Sequence, residues 1–311
     1  MSFRYVNPGY SRLTTYSYYS SYCDDIIDGT KSRTGVAYYN TSYDRNAYQF
    51  SALPANDEYW VKFDFYYTGT SYLYARETTS YYSGLLIEVN SATSATIRYY
   101  ARGTTYTLLT NADTPLTGLK MNSVNTIWLH VKWGDAGIGF LEFQINNKRF
   151  PKIQDKSFYK QNSFIFGMSY NNTNGHFSSV IISDEEINPY EKVVALPVAS
   201  TVTDMSPRDE GGYIASDTSQ TLLQSVDTTA LIEQYGSDAK VTSIALVGRP
   251  AYEVAEILGR LTSISKTGGT TIEHETIQLS NNTSAAIVSG IPIDTTLAEL
   301  PNIQFGWKAS E

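Results

Sequence analysis

The segment Thr126-Ile-Trp-Leu-His-Val-Lys-Trp133, followed after a glycine-containing turn by Phe140-Leu-Glu-Phe-Gln-Ile145, decides the fold class of this chain. In both runs the side chains alternate with a period of two, which predicts antiparallel strands with one buried and one wet face. On the first strand the predicted buried face carries Ile127, Leu129, Val131 and Trp133. Trp128 lies on the opposite face, so we expect Trp128→Ala to destabilise the fold distinctly less than Trp133→Ala.

Similar runs on both sides of this segment extend the pattern. Asn146-Asn147 suits a tight hairpin turn, since Asn tolerates positive φ. Roughly a dozen short strands are predicted and no long helix, which is typical of a β-sandwich. Besides the two runs above, the clearest strands are Trp60–Tyr67, Leu85–Asn90, Ala95–Ala101, Tyr106–Thr110, Ser163–Met168 and Phe177–Ile182.

The order of these strands, ending in Phe177-Ser-Ser-Val-Ile-Ile-Ser-Asp-Glu-Glu-Ile187, resembles the second half of a concanavalin A-like or laminin-G-like lectin domain. With this ending it is similar to lectin-like proteins of bacteriophage particles and tails. The resemblance implies a jelly-roll sandwich over residues 1–198.

The composition changes after residue 198, with fewer Tyr and more Ala, Ile and Leu. Residues 199–212, rich in Thr, Asp, Ser, Pro and Gly, are predicted to be a linker. A smaller β-sandwich is predicted over 213–311, with a short helix at Thr228–Tyr235 capped by Asp227. The runs Lys266-Thr-Gly-Gly269, Ile293-Asp-Thr-Thr-Leu-Ala-Glu-Leu300 and Ile303-Gln-Phe-Gly-Trp-Lys308 resemble small β-sandwich domains of phage virion proteins.

The bulk composition excludes several function classes. The 311 residues carry a formal net charge of −8 and no Lys/Arg cluster, which argues against nucleic-acid binding. No segment is apolar enough for membrane insertion, and the N-terminus has no signal-peptide core. The single Cys23 forms no intrachain disulfide. An adhesive composition without an export signal suits a virion component that is assembled in the host cytoplasm and released by lysis.

Catalytic motifs are missing from the sequence. It has three His, no nucleophile elbow and no phosphate-binding loop. A sandwich glycoside hydrolase needs two carboxylates on one face of a strand, at i,i+2 or i,i+4 spacing. Glu142 and Asp64 are each alone in their predicted strands, whereas Glu273 and Glu275 lie in the second domain. We therefore predict that the protein is not an enzyme and has no catalytic residue.

No cofactor or metal is predicted. A Ca²⁺ site built from Asp24, Asp25 and Asp28 is possible in a laminin-G-like domain, because Ca²⁺ prefers oxygen ligands. A solvated acidic turn is the preferred interpretation of these residues.

Exposed aromatic residues provide the candidate binding site. Tyr72, Tyr74, Tyr81 and Tyr82 flank loops rich in Ser and Thr, where a sugar ring can stack on tyrosine. Contacts between protomers, or ordinary strand surface, are the alternatives.

Together these features predict a non-enzymatic surface protein of a bacteriophage particle, such as a fibre, spike or decoration subunit, whose lectin-like module binds host-surface glycan. A free-standing lectin is the alternative, and a glycoside hydrolase ranks below it. The expected partners are other virion proteins and copies of the same chain. Closed symmetry is the general rule for such assemblies, and the resemblance points to a trimer.

Overall fold

The fold is described from a computed structural model of the chain. It describes residues 4–7, 23–27, 36–40, 47–49, 56–67, 71–76, 84–91, 94–101, 105–108, 118–155, 157–158, 165–167, 175–208, 212–248, 259–279 and 287–310. The chain divides into two compact units, Met1–Val194 and Ala195–Glu311, called unit 1 and unit 2 below.

Unit 1 is built from β-strands alone in its described residues. The strands are β1 (Arg4–Asn7), β2 (Cys23–Ile27), β3 (Val36–Asn40), β4 (Ala47–Gln49), β5 (Glu58–Tyr67), β6 (Ser71–Arg76), β7 (Gly84–Ser91), β8 (Ser94–Ala101), β9 (Thr105–Leu108), β10 (Val124–Lys132), β11 (Phe140–Ile145), β12 (Lys148–Arg149), β13 (Ile165–Gly167) and β14 (Gly175–Ser183).

An eight-stranded antiparallel sheet dominates unit 1. Its strand order is β12-β11-β10-β5-β14-β3-β2, and β1 also pairs with β14. The other strands form a four-stranded sheet, β6-β7-β8-β9, and a pair, β13-β4, in which β13 contacts β6. Most neighbours in the large sheet are distant in sequence, as in a jelly roll.

The register of the large sheet places one apolar face in the core. Across β5, β10 and β11 the cross-strand rows join Phe63 to Ile127 and Val61 to Leu129, and Leu129 to Phe143. All of these side chains are at most 3% exposed. The period-two pattern of β10 therefore predicts the core face correctly, and Trp133 is buried as expected.

Trp128 is also buried, which corrects the expectation drawn from the sequence. It lies on the opposite face of β10 yet is 4% exposed, against 5% for Trp133. A segment of chain covers it, and its indole Nε1 donates a hydrogen bond of 2.7 Å to the carbonyl oxygen of Ile187. Alternation identifies the face of a strand, but it does not identify a segment that crosses that face.

Two asparagines fix the turn between β11 and β12 against the start of β10. Asn146 has a φ of +52°, as the turn prediction requires. Its Oδ1 accepts a hydrogen bond from Thr126 N at 2.9 Å. The fully buried Asn125 donates from Nδ2 to the carbonyl oxygens of Lys120 and Ser123, and Asn146 donates to its Oδ1. These bonds satisfy backbone groups that the turn leaves without strand partners.

Unit 2 contains a second set of strands and one short helix. The elements are β15 (Val198–Thr203), β16 (Ser206–Pro207), β17 (Tyr213–Ile214), β18 (Thr221–Val226), α1 (Thr229–Tyr235), β19 (Lys240–Gly248), β20 (Arg260–Thr267), β21 (Thr270–Gln278), β22 (Ile287–Thr296), a 3-10 turn (Leu300–Asn302) and β23 (Ile303–Ser310).

Unit 2 is a small sandwich. A five-stranded sheet, β15-β18-β23-β20-β21, faces the two-stranded sheet β19-β22. The core between them contains Ile244 from β19, Ile291 from β22, and Phe305 from β23. Leu300, in the 3-10 turn before β23, completes this cluster. The sheet pair thus buries one apolar face from each side, as sandwiches do.

The helix of unit 2 lies where the sequence predicts it. Asp227 Oδ1 accepts a hydrogen bond of 2.9 Å from Thr229 N, and the bonds from Thr229 lower the pKa of Asp227. Gly236 ends the helix with a φ of +87°, and its N–H donates to Ile232 O. The cap residue itself is Thr228, one position later than the sequence indicates.

Residues 199–212 differ from the predicted linker. They include most of β15, which pairs with β18 in the large sheet of unit 2, and β16, which pairs with β17. The alternating Val198-Ala-Ser-Thr-Val-Thr203 is rich in β-branched residues, which favour strands. Pro207 belongs to β16, and Gly212, with a φ of +89°, precedes β17.

The predicted all-β class, with two sandwiches, is confirmed by this arrangement of antiparallel sheets. In the described part of the chain, no helix has the length and apolar character required to cross a membrane.

Candidate functional site

The candidate site lies on the face of the eight-stranded sheet that points away from the core. Alternation places Glu58 and Trp60 of β5 in the same rows as His130 and Lys132 of β10. The next strand, β11, continues these rows. We call this region the outer patch, defined as Glu58, Trp60, His130, Lys132, Phe140, Glu142, Arg149 and Lys152.

His130 is at the centre of the outer patch. Its ring stacks on Trp60 with centroids 4.2 Å apart and planes inclined by 13°. Phe140 meets the imidazole edge-on at 4.8 Å. The ring nitrogens face two carboxylates, since Nε2 is 2.7 Å from Glu58 Oε1 and Nδ1 is 3.5 Å from Glu142 Oε2. The His130 side chain is 14% exposed, so its orientation is fixed by contacts on several sides.

Glu142 binds two cations besides facing His130. Arg149 Nη2 donates to Glu142 Oε2 at 2.9 Å, and Lys152 Nζ lies 3.4 Å from Oε1. Burial by itself would raise the pKa of Glu142, but the hydrogen bond from Arg149 and the charge of Lys152 outweigh it and lower the pKa. The group is therefore a carboxylate at neutral pH and is unsuited to act as a general acid.

The aromatic rings of the patch are half-buried and are flanked by cations. Lys152 Nζ lies 3.4 Å from the centroid of Phe140, and Lys132 Nζ is 3.9 Å from Glu58 Oε2. Trp60 is half-buried against His130. The patch thus combines apolar ring surface with charged hydrogen-bonding groups, and rigid strands hold both.

A strap formed by residues 187–191 covers the neighbouring part of the same face. Ile187 O accepts the indole hydrogen bond of Trp128, and the Lys62 ammonium donates to the carbonyl oxygen of Glu191. Inside the strap, Tyr190 N donates to Asn188 Oδ1 at 2.9 Å. The strap thus covers Lys62 of β5 and Trp128 of β10, next to the outer patch. Tyr190, within the strap, is exposed.

Sequence reasoning missed this site because its members come from different strands. Glu58 and Glu142 lie 84 positions apart, and both meet at His130 only through the β5-β10-β11 pairing. A search for two carboxylates within one strand does not detect such a pair. The signal available in the sequence was the polar half of β10, where His130 and Lys132 alternate with the core residues.

The predicted tyrosine site stays a prediction. Tyr72 and Tyr74 belong to strand β6, of which the structure describes the backbone. Tyr81 and Tyr82 lie outside the described residues. The outer patch lies on the eight-stranded sheet, whereas β6 belongs to the four-stranded sheet.

The proposed calcium ligands are also untested. Asp24 and Asp25 lie in β2, and Asp28 lies outside the described residues. Within the described ranges, no three His, Cys, Asp or Glu residues are grouped so that they could hold a metal ion.

The Glu273/Glu275 pair of unit 2 flanks His274 on strand β21. Glu273 Oε1 accepts a hydrogen bond of 2.6 Å from Lys308 Nζ. His274 Nε2 is 2.8 Å from Ser265 Oγ, and burial lowers the pKa of this imidazole. Glu273 is therefore held in an ion pair with β23.

Comparison with known proteins finds distant structural likeness and no family. No protein-family profile and no curated protein sequence matches the chain. Solved structures similar to it include an endo-β-1,4-glucuronan lyase from the fungus Trichoderma reesei, at 11% identity and a TM-score of 0.43 over 60% of this chain and 98% of that chain.

Two others are a Bacillus licheniformis β-glucanase and the carbohydrate recognition domain of Emp46p. Each is 12% identical over 59% of this chain, with TM-scores of 0.34 and 0.32 and coverage of 98% and 89% of their own chains. These proteins have concanavalin A-like folds, the predicted class, and at such identities the likeness concerns the fold alone.

The prediction that the protein is not an enzyme is corrected by this comparison. The similar structures include a lyase and a glucanase beside a carbohydrate recognition domain. The sequence argument relied on a missing carboxylate pair within one strand, and the outer patch assembles carboxylates across strands instead.

The ion pairs of Glu142 make the stability of unit 1 dependent on acid. Its folded pKa lies below the ordinary value of 4.5, so ionised Glu142 stabilises the fold above about pH 4.5, and this stabilisation is lost as the pH falls through the lowered pKa. We expect Glu142→Gln to reduce the loss of stability between pH 6 and pH 3. Urea unfolding followed by tryptophan fluorescence tests this, because three of the four tryptophans, Trp60, Trp128 and Trp133, lie in unit 1.

Glu233→Gln, which removes the same charge from helix α1 of unit 2, is the matched control. It should leave the acid dependence of unit 1 as in the wild type. Equal acid dependence in the Glu142→Gln variant and the wild type would contradict the role assigned to the Glu142 ion pairs.

Proposed function

We propose that unit 1 binds carbohydrate through the outer patch. The observation that carries the proposal is the juxtaposition of half-buried Trp60 and Phe140 rings with the ionised groups around His130. Sugar rings present apolar C–H faces together with hydroxyl groups, so their sites pair aromatic surface with fixed polar groups. The strands hold these groups in place before a ligand arrives, which lowers the entropy cost of binding.

The matched variants Phe140→Ala and Phe150→Ala test this proposal. Both replace a half-buried phenylalanine of the same region, but Phe150 stacks on the core residue Phe143, on the other side of β11. We expect Phe140→Ala, and likewise Trp60→Ala, to abolish the retardation of the protein in native gels that contain polysaccharide. Phe150→Ala should be retarded like the wild type. Far-UV circular dichroism verifies that each variant is folded.

A quadruple alanine variant of Tyr72, Tyr74, Tyr81 and Tyr82 distinguishes the two candidate sites. If the outer patch is the site, this variant binds polysaccharide like the wild type. If it loses binding while Phe140→Ala and Trp60→Ala keep it, the tyrosine site replaces the outer patch. Size-exclusion chromatography of the same variant tests the third possibility, that the tyrosines are contacts between protomers.

For the biological setting, we propose a surface protein of a bacteriophage particle whose carbohydrate site recognises host-surface glycan. The support is the sequence resemblance carried by the strand order and the segment Phe177–Ile187. Other virion proteins are the expected partners, and a trimer is the expected oligomer. Mass spectrometry of purified particles and light scattering of the isolated protein test these points. Absence of the chain from particles would remove the virion role without affecting carbohydrate binding.

A further inference from the structure

We propose that the carbohydrate recognised by the outer patch is acidic and carries carboxylate or sulfate groups. This inference rests on the proposed function and specifies the class of its ligand. It is supported by the net charge of the patch, by the exposure of Arg149 and by the position of Lys152 over the Phe140 ring.

The patch has a positive excess in an acidic protein. Lys132, Arg149 and Lys152 outnumber Glu58 and Glu142 by one charge, whereas the whole chain has a formal net charge of −8. An anionic polymer is therefore repelled by the chain as a whole and attracted to this face. Such charge complementarity selects the orientation of an encounter and the class of ligand.

Arg149 has the geometry of an anion contact. Its side chain is 65% exposed, while its partner Glu142 is 17% exposed. One guanidinium N–H bonds to Glu142 Oε2. A guanidinium has five N–H donors in a planar fork that matches carboxylate and sulfate oxygens. The remaining donors of Arg149 thus face solvent at the edge of the patch, and Glu142 fixes the direction of the fork.

Lys152 places a positive charge next to the aromatic ring of Phe140. Its ammonium lies 3.4 Å from the Phe140 centroid and 3.4 Å from Glu142 Oε1, and the side chain is 38% exposed. A sugar that approaches the edge of the Phe140 ring would therefore meet a cation at its periphery. Carboxylates and sulfates project from the periphery of sugar rings, so contact with the ring edge and ion pairing act on one residue of the polymer.

Glu142 orients the cationic side chains of Arg149 and Lys152 before a ligand binds. A single carboxylate binds Arg149 and Lys152 at once and keeps both long side chains over β11. Ordering such side chains costs about 0.5–1.5 kcal/mol each when a ligand has to do it. In this site the ion pairs with Glu142 supply part of that ordering before binding.

Native affinity electrophoresis with two groups of polysaccharides tests the inference on the full chain. The acidic group is polygalacturonate, alginate, hyaluronan and dextran sulfate, and the neutral group is dextran, laminarin, mannan and hydroxyethylcellulose. We expect retardation by at least one acidic polymer and weaker retardation at high salt, because salt screens exposed charges. The carboxylated and sulfated polymers distinguish the two kinds of anion.

Arg149→Ala and Lys148→Ala form the matched pair of variants. Both remove one positive charge from strand β12, but Arg149 pairs with Gln144 on the outer face, and Lys148 pairs with the core residue Ile145. We expect Arg149→Ala to weaken retardation by the acidic polymer about tenfold, the loss of one charge-assisted contact. Lys148→Ala should stay close to the wild type.

The outcomes separate this inference from the proposed function. Retardation by neutral polymers alone, sensitive to Phe140→Ala, would overturn the acidic ligand and keep carbohydrate binding. Equal losses in Arg149→Ala and Lys148→Ala would also overturn the inference, because a general charge effect explains them. No retardation by any polymer would overturn both proposals.

Discussion

Trp128→Ala is expected to lower the free energy of unfolding of unit 1 by about 3–5 kcal/mol, as large-to-small changes of buried aromatic residues do. Trp128 is 4% exposed although it faces away from the core, because the strap of residues 187–191 covers it. The variant loses the packed ring and also the indole donor, so the carbonyl oxygen of Ile187 is left without that hydrogen bond. Urea unfolding followed by far-UV circular dichroism measures the change.

Two further variants make this result interpretable. Trp133→Ala, at 5% exposure on the core face, should cost about the same 3–5 kcal/mol. Trp128→Phe keeps a ring but removes the donor, and we expect a cost of about 1–3 kcal/mol. If Trp128→Ala costs far less than Trp133→Ala, then the strap does not seal the outer face in solution.

Gly306→Ala should destabilise unit 2 by on the order of 3 kcal/mol, the upper part of the range for overpacked sites. Gly306 lies in β23 opposite Leu223 of β18 and Ile264 of β20. A Cβ atom at this position would overlap the carbonyl oxygen of Leu222, and backbone atoms cannot rotate away as a flexible side chain would. The central strands of the sheet would have to separate to accept a methyl group.

Gly259→Ala is the control for this position. A Cβ there would meet Leu279 Cδ1 at 3.5 Å, which is ordinary contact, so the variant should unfold close to the wild type. Differential scanning calorimetry of the full chain, together with hydrogen exchange of the peptide 303–310, measures both variants. Wild-type exchange rates in Gly306→Ala would show that the sheet opens at this point without cost.

The fold could be predicted from the sequence wherever side chains alternate regularly. The core face of β10 follows from Ile127, Leu129 and Val131, and the turn at Asn146 follows from the tolerance of Asn for positive φ. The helix α1 follows from Asp227 and Gly236. In each case the determining interactions are local, within a few residues of the chain.

The candidate site could not be predicted in the same way because it depends on contacts between distant segments. Which strands neighbour β10 decides that Glu58 and Glu142 reach His130, and local patterns do not specify the neighbours. The burial of Trp128 has the same cause, since the strap returns to the sheet 59 positions later in the chain. Likewise, the turn-forming residues after β15 favoured a linker over residues 199–212, although β15 pairs with the distant strand β18.

The composition of strand β21 has a consequence for assembly. β21 is the last strand of the larger sheet of unit 2, where in the described residues it pairs with β20. Glu273 and Glu275 lie in the middle of this edge, and a second chain that added its own β21 in antiparallel fashion would bring like charges together. Charged edges of this kind oppose strand addition and aggregation. An oligomer that extends the sheet of unit 2 through β21 is therefore disfavoured.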